Sequence, residues 1–234
     1  MNRMLYAIHP ANFFSLFYPK LCASCQKDLR TSEMVLCTGC VFSLPKTDQI
    51  NVSENSLERL FYGKVEIVAA AAFYRFQKGG RIQRLAHLLK YEGRQDVGDF
   101  TGRLIGQSLL TSCRFKDVQQ VIPVPLHPSR MRKRGYNQAA CISAGIAAIT
   151  GWQHFPNGLQ RVRASDTQTL KHRYARFENV DGIFRVSDPE QHYGKRILLV
   201  DDVVTTGSTM AACAEALVKI SGVSVFPVAM AVAN

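Results

Sequence analysis

Two neighbouring carboxylates followed by a run of hydroxyl residues form the most chemically suggestive stretch of this 234-residue chain. The acids are Asp201 and Asp202, and the residues after Val204 are Thr205, Thr206, Gly207, Ser208 and Thr209. Backbone N–H groups and hydroxyls in such a loop favour a phosphate, whereas two adjacent acids would repel a bare one. The acids are explained if they accept hydrogen bonds from neighbouring hydroxyls of a ribose, or lie near a divalent cation. The pattern therefore predicts a site for a sugar phosphate with a cis-diol.

The residues on either side of this stretch predict a strand, a loop and a helix. Four consecutive apolar residues, Ile197 to Val200, are typical of a strand buried on both faces in a parallel sheet. The Ala-rich segment from Met210 to Ile220 favours a helix, with Thr206 or Ser208 as its N-cap. An ordinary buried strand with a polar turn is the alternative interpretation, but it leaves the two adjacent acids unexplained.

The sequence contains neither a Gly-x-x-x-x-Gly-Lys-Ser/Thr element for a nucleoside triphosphate nor a Gly-x-Gly-x-x-Gly turn for a dinucleotide. Instead, the run from Ile197 to Thr209 resembles, at every position of the pattern, the phosphoribosyl pyrophosphate (PRPP) binding signature of the type I phosphoribosyltransferases. The resemblance implies that Asp201 and Asp202 contact the ribose hydroxyls and that Thr205 to Thr209 hold the 5-phosphate. It also implies that Mg²⁺ accompanies PRPP.

Four of the seven cysteines lie in two Cys-x-x-Cys pairs near the N-terminus. The ligand residues would be Cys22, Cys25, Cys37 and Cys40, with eleven residues between the pairs. Two such pairs can collect one tetrahedral zinc ion, and a closed four-cysteine site of this kind is structural rather than catalytic. Free thiols or a redox pair are the alternatives. The spacing predicts a zinc ribbon over about residues 20–45.

A strongly basic segment follows a second predicted strand. It carries four cations, Arg130, Arg132, Lys133 and Arg134. Pro123 and Pro125 predict that the strand soon gives way to a loop, and Asn137 is a candidate N-cap for the next helix. We expect this basic loop to open on the same edge of the sheet as the acids, where its cations can neutralise a pyrophosphate. The alternative is a solvated charge run on a surface turn.

A third hydrophilic, basic segment lies between residues 161 and 179 and includes Arg163, Gln168 and Arg173. Flexible lids over anionic substrates have this composition, and so do ordinary surface loops. Upstream, residues 81–91 and 100–110 carry apolar residues at helical spacing and are interpreted as scaffold helices. Lys90 and Tyr91 are exceptions to that interpretation because they lie where the first helix ends.

Together these segments resemble one family over nearly the whole chain, from about Phe14 to Asn234. The ComF/GntX family has the same order of segments: a zinc-ribbon-like start, Leu89-Lys90-Tyr91, the Pro-Val-Pro-Leu and Arg-rich segment, Arg161-Val162-Arg163 to Gln168, and the Asp-Asp-Val-Val-Thr-Thr-Gly-Ser-Thr loop. The resemblance implies an α/β fold, a type I phosphoribosyltransferase-like parallel sheet flanked by helices, with a small N-terminal zinc ribbon. It also implies a link to natural competence and the handling of imported single-stranded DNA.

Chain length and composition fit this organisation. We predict a four-cysteine domain at residues 14–45, a connector at 46–64 and a phosphoribosyltransferase-like domain at 65–234. No apolar run is long enough to span a bilayer, and we expect a cytoplasmic protein. The net charge of +11, from 29 Lys and Arg against 18 Asp and Glu, suits polyanionic substrates, nucleic acid or acidic membrane surfaces, and charge alone does not choose between them.

Two classes of function are compatible with the sequence. In the first, PRPP binds at Asp201 to Thr209, the cations of residues 130–134 hold its pyrophosphate, and an acceptor displaces the pyrophosphate at the anomeric carbon. No residue stands out as a catalytic base for such a transfer. In the second, the protein is not an enzyme: it binds single-stranded DNA or competence proteins, and the ligand site is regulatory or vestigial. We favour a site that still binds its ligand, because every position of the loop pattern is chemically competent.

Overall fold

The computed structural model describes residues 19–162 and 183–233. The chain divides into two compact units, Met1–Leu44 and Pro45–Asn234. Residues 46–64, predicted as a connector, lie in the second unit, where Leu57 and Phe61 are buried in the apolar core. The predicted lid residues Arg163, Gln168 and Arg173 lie outside the described residues.

The first unit is built around its cysteines. Its described part contains one helix, α1 (Thr38–Ser43), and an isolated antiparallel bridge between Leu21 and Asp28. The N–H of Ala23 donates to the carbonyl of Val35 at 2.9 Å, and this bond joins the two Cys-x-x-Cys segments. Backbone hydrogen bonds thus bring the cysteine pairs together with very little regular secondary structure.

The second unit contains a five-stranded parallel sheet. Its strands and those of a separate antiparallel pair are β1 (Ala71–Phe76), β2 (Gln120–Pro123), β3 (Gln153–His154), β4 (Leu159–Arg161), β5 (Phe184–Val186), β6 (Arg196–Val204) and β7 (Ser224–Ala233). The strand order of the main sheet is β1-β7-β6-β2-β3, and every neighbouring pair is parallel. Because β6 lies in the middle, its apolar residues are buried on both faces, as the run Ile197 to Val200 predicts.

The helices of this unit are α2 (Ser56–Arg59), α3 (Arg81–Tyr91), α4 (Gln95–Leu110), α5 (Pro128–Arg134), α6 (Gln138–Thr150) and α7 (Ser208–Val218), with a short 3₁₀ helix at Pro189–His192. All the α-helices but α5, which has no buried residue, pack against strands of the sheet. A core cluster on one side of the sheet joins α7 to Ile197 and Leu199 of β6. The α/β fold with a parallel sheet flanked by helices is therefore confirmed. Among the described residues, no helix combines the length and apolar character needed to cross a membrane.

Several element boundaries differ from the predictions. The run from Val65 to Phe76 has the apolar and aromatic character that predicts a buried strand, but it forms a strand only over Ala71–Phe76. The residues before Ala71 pack as an irregular segment beside the core. The second scaffold helix starts at Gln95 rather than at residue 100. Asn137 does cap α6, as predicted: its side chain accepts a hydrogen bond from the N–H of Ala139 at 3.1 Å.

Candidate functional site

Asp201 and Asp202 lie near the carboxyl end of β6. The Oδ1 of Asp201 accepts a hydrogen bond from the N–H of Asp202 at 2.8 Å, and the Oδ1 of Asp202 accepts one from the N–H of Val203 at 2.5 Å. Both carboxylates are therefore held by the backbone of their own strand. Open α/β sheets bind ligands at the carboxyl ends of their strands, so this pair lies where a ligand is expected.

Burial of its carboxyl group, together with the charge of Asp202, raises the pKa of Asp201 to about 7. A carboxyl group whose pKa is higher in the folded state stabilises the fold most when it is protonated. That stability is complete below the ordinary Asp pKa near 4 and is lost as the pH rises through about 7. Ionisation of Asp201 therefore lowers the stability of the native protein.

We expect Asp201→Asn to flatten the pH dependence of unfolding. The melting temperature of the wild type should fall, relative to that of the variant, between pH 5 and pH 8, because only the wild type has this carboxyl to ionise. Thermal unfolding followed by circular dichroism at both pH values would show it. Asp117→Asn, at an exposed carboxylate outside the site, is the matched control. Parallel pH profiles for the wild type and Asp201→Asn would contradict the assignment.

Lys90 completes this group of charges. Its Nζ lies 2.8 Å from the Oδ2 of Asp202, and the two side chains are only 23% and 12% exposed. Sequence reasoning singled out Lys90 as the end of a helix but gave it no role. The helix end and the resemblance of Leu89-Lys90-Tyr91 to a family segment were the signals for it, and neither pointed to its partner Asp202, which lies in a distant part of the chain.

The hydroxyl loop connects β6 to α7. Thr205, Thr206, Ser208 and Thr209 are all exposed, and the hydroxyls of Thr206 and Ser208 lie 3.1 Å apart. The loop ends where α7 begins, so its hydroxyls stand beside the N–H groups of the first helical turn, of which that of Ser208 points at the Oγ1 of Thr206 at 3.5 Å. Such a helix start favours a bound anion.

The N-cap of α7 is Gly207, not Thr206 or Ser208 as predicted, and the helix runs from Ser208 to Val218 rather than from Met210. Gly207 has a φ of 71°, a left-handed conformation that glycine adopts without strain. A Cβ added there would also approach the side chain of Leu60 to 3.0 Å. The glycine therefore sets the sharp entry into the helix, and the flanking hydroxyls stay open to a ligand.

A second cation missed by sequence reasoning lies beside this loop. The Nζ of Lys64 is 3.5 Å from the carbonyl oxygen of Thr206. Lys64 belongs to the segment predicted as a connector, which also supplies Leu60 beneath Gly207. Nothing in the composition of residues 46–64 indicated this position, because it depends on how the segment packs against α7.

The basic segment is a helix rather than the predicted loop. Pro128 occupies the first helical position of α5, and the imidazole of His127 accepts a hydrogen bond from the N–H of Ser129 at 3.2 Å. Gly135 ends the helix with a φ of 78°. Arg132, Lys133 and Arg134 form its last turn, where positive side chains interact favourably with the helix dipole. Arg130, Arg132 and Lys133 are exposed and make no ion pair with any described residue.

The end of α3 links the acids to this basic helix. The guanidinium carbon of Arg134 lies 5.5 Å from the ring centroid of Tyr91, the residue after Lys90. The hydroxyl of Tyr136 donates a hydrogen bond to the carbonyl of Leu89. Leu89, Lys90 and Tyr91 therefore contact Asp202 as well as two residues at and just after the end of α5. The structure thus brings Asp202 and the end of α5 to the same region of the fold.

The four cysteines form a compact cluster. The Sγ atoms of Cys22, Cys25, Cys37 and Cys40 all lie within 4.8 Å of one another, and those of Cys25 and Cys37 are 3.7 Å apart. Four sulfurs placed about 2.3 Å from one zinc ion are separated by about 3.8 Å. The cluster is therefore compatible with a structural zinc ion.

The polypeptide around Cys22 favours a thiolate, whereas burial raises the pKa of Cys40 to about 12. The N–H of Cys37 points at the Sγ of Cys22 at 3.3 Å. Burial opposes ionisation of Cys22, but N–H donors from Cys25, Cys37 and Ser24 outweigh it and lower the pKa of this thiol to about 6. Zinc binds the thiolate form, so the backbone prepares at least one sulfur for coordination.

We expect one zinc ion per chain, measured by elemental analysis of anaerobically purified protein. Chelation should unfold the first unit without melting the sheet, because ligand release and local folding are coupled in small metal sites. Cys37→Ser should lose the metal, whereas Cys113→Ser, at an exposed cysteine outside the cluster, should keep it. A wild-type protein without zinc would refute the assignment.

Comparisons with known proteins agree with this architecture. A family model described as "Phosphoribosyl transferase domain" matches residues 154–234. The chain is 34% identical over 138 residues to DNA utilization protein YhgH of Salmonella typhimurium, covering 58% of this chain and 60% of that protein. It is 33% identical over the same length to YhgH of Escherichia coli O157:H7, and the chain spans 60% of the length of both relatives.

A third relative covers more of the chain. Competence protein F of Haemophilus influenzae is 27% identical over 203 residues, which is 81% of this chain and 80% of that protein. The order of segments that resembles ComF/GntX in the sequence is thus accompanied by a phosphoribosyl transferase domain match and by relatives of the expected kind. Over part of its length the chain is therefore similar to a phosphoribosyl transferase domain and to proteins named for competence and DNA utilization.

Proposed function

We propose that the protein binds PRPP, or a related ribose phosphate, at the carboxyl end of β6. The observation that carries this proposal is the pair of carboxylates at Asp201 and Asp202 immediately before an exposed hydroxyl loop that opens a helix. The carboxylates would accept hydrogen bonds from the ribose hydroxyls. Thr205 to Thr209 and the first turn of α7 would hold the 5-phosphate.

The pyrophosphate of PRPP would extend toward the basic end of α5. The support for this is the contact of Arg134 with Tyr91, the residue after Lys90, since Arg132 and Lys133 share the last turn of α5 with Arg134. Among residues 19–162 and 183–233, the two acids have no third His, Cys, Asp or Glu close enough to complete a metal site. Mg²⁺ would therefore enter with the pyrophosphate and supply further positive charge there.

If the protein is a transferase, the same site would catalyse pentosyl transfer. The electron pair of the bond between the anomeric carbon and its oxygen would leave with the pyrophosphate, while the acceptor's lone pair forms the new bond to that carbon. Positioning and charge neutralisation would supply most of the rate enhancement. No described side chain in the site is placed as a base specific for an acceptor, so the proposal commits to ligand binding.

A second candidate function is supported by the exposed cations of α5. A non-enzymatic component of DNA uptake could follow a single-stranded backbone with Arg130, Arg132 and Lys133 and stack a base on Tyr91, which is 61% exposed. The names of the relatives, Competence protein F and DNA utilization protein, suggest this process for those proteins. For this chain we propose a link to the handling of single-stranded DNA and to competence proteins as partners.

Calorimetry separates the two proposals. The wild type would be titrated with PRPP plus Mg²⁺, with ribose 5-phosphate, and with a short single-stranded oligonucleotide. We expect PRPP to bind most tightly and ribose 5-phosphate to bind measurably, because both carry the 5-phosphate and the cis-diol. Oligonucleotide binding in the absence of any ribose phosphate binding would reverse the order of the two candidates.

A further inference from the structure

The ion pair between Lys90 and Asp202 uses only part of the hydrogen-bonding capacity of the lysine. An ammonium group has three N–H donors. In the described part of the chain, the acceptor that Lys90 contacts is the Oδ2 of Asp202, at 2.8 Å. The side chain is 23% exposed, so water reaches it only partly. Within residues 19–162 and 183–233, at least two donors of this largely buried cation thus have no protein acceptor and can meet a ligand.

The chemistry of the ligand indicates what those donors would meet. This step rests on the proposed function, in which Asp201 and Asp202 accept hydrogen bonds from the ribose hydroxyls. In PRPP the pyrophosphate is attached to the anomeric carbon, next to the carbon that carries the 2-hydroxyl. A carboxylate bound to that hydroxyl therefore lies close to the first pyrophosphate oxygens. Two negative groups so close together require a cation between them.

Lys90 has the required position. Lys90 contacts Asp202, and the next residue in the chain, Tyr91, packs against the guanidinium of Arg134. It therefore stands between the acids and the basic end of α5. We propose that Lys90 bridges Asp202 and the pyrophosphate of the bound ligand, keeping one N–H on the carboxylate while the others bind pyrophosphate oxygens. Lys90 is then a ligand-binding residue that selects for a pyrophosphorylated ribose.

A pair of ligands that differ only at the anomeric carbon tests this role. PRPP carries the pyrophosphate, and ribose 5-phosphate carries a hydroxyl in its place. Lys90→Met keeps the length of the side chain and removes its charge. We expect it to weaken PRPP binding about 10- to 100-fold, the effect of one or two charge-assisted hydrogen bonds, and to change ribose 5-phosphate binding by about threefold or less.

Three further variants make the result specific. Lys90→Arg keeps the charge and the donors, and should retain most of the preference for PRPP. Lys90→Gln keeps a polar side chain without the charge, and replaces Lys90→Met if the methionine variant does not fold. Lys219→Met removes an exposed lysine that follows the last residue of α7 and pairs with Glu215, and should bind both ligands as the wild type does.

The outcomes are distinct. A selective loss of PRPP affinity in Lys90→Met supports the bridge. Equal losses for both ligands would overturn it, because Lys90 would then only hold Asp202 in place for the ribose. Unchanged affinity for both would overturn it as well. If the wild type binds neither ligand, the proposed ribose phosphate site itself is refuted, together with the bridge that depends on it.

Discussion

Replacing both Asp201 and Asp202 with Asn is expected to weaken PRPP binding by about 100-fold or more, because two acceptors of charge-assisted hydrogen bonds are removed together. An amide also presents a donor where the ribose hydroxyls need an acceptor. Calorimetric titration with PRPP and Mg²⁺ measures the effect. Ribose 5-phosphate should be affected to a similar degree, because it presents the same cis-diol to the same pair.

The fold of this double variant should remain intact. Asp201 stabilises the native state less when it is ionised, so removing its charge should not weaken the fold at neutral pH. Asn at position 202 removes the ion pair with Lys90, and we expect this to lower the melting temperature without unfolding the sheet. Circular dichroism and thermal unfolding check this, and Asp117→Asn again provides a carboxylate substitution outside the site. Undiminished PRPP affinity in a folded double variant would eliminate the proposed ribose contact.

Reversing the charge at Arg132 and Arg134 should distinguish the two functional classes. If the end of α5 holds the pyrophosphate, the double Glu variant should lose PRPP affinity by about 100-fold, since two attractive charges become repulsive. Oligonucleotide affinity should then change little. If α5 instead follows a nucleic-acid backbone, oligonucleotide binding should weaken for every sequence tested. The slope of log affinity against log salt should also become shallower, by about 0.7 for each phosphate that the variant no longer neutralises.

A matched control separates these local effects from the loss of overall positive charge. Lys116→Glu with Lys195→Glu changes the net charge by the same amount. Both residues lie just before the amino ends of strands β2 and β6, at the edge of the sheet opposite the acids. We expect the larger effect of the Arg132 and Arg134 reversal to be on PRPP. Unchanged PRPP affinity with a shallower oligonucleotide salt slope would assign the helix to nucleic acid.

The features predicted correctly from the sequence depend on residues close together in the chain. The buried strand before the acids, the four-cysteine cluster and the Asn137 cap each follow from a short pattern of apolar residues, thiols or a capping amide. The family resemblance rests on such local patterns too. Local patterns were sufficient for the class of fold and for the position of the hydroxyl loop.

The features that were missed depend on interactions between distant segments or on unusual local chemistry. Lys90 meets Asp202, and Lys64 meets Thr206, only because the fold brings distant parts of the chain together. The basic segment was predicted as a loop because its charges and prolines suggested one. A histidine cap, a proline in the first turn and a terminal glycine make it helical. Gly207 caps α7 because the backbone is left-handed at this position. The usual preference of N-cap positions for Ser or Thr does not predict a glycine there.

The position of residues 89–91 between the two sides of the site has a thermodynamic consequence. A ligand fragment that fixes Lys90 against Asp202 also restricts the turn that carries Tyr91, and with it the position of Arg134 and Tyr136. In the proposed site we therefore expect binding at the sugar end and binding at the basic end to be linked equilibria. Linkage is reciprocal, so whatever ribose phosphate does to the affinity for pyrophosphate, pyrophosphate does to the affinity for ribose phosphate by the same factor.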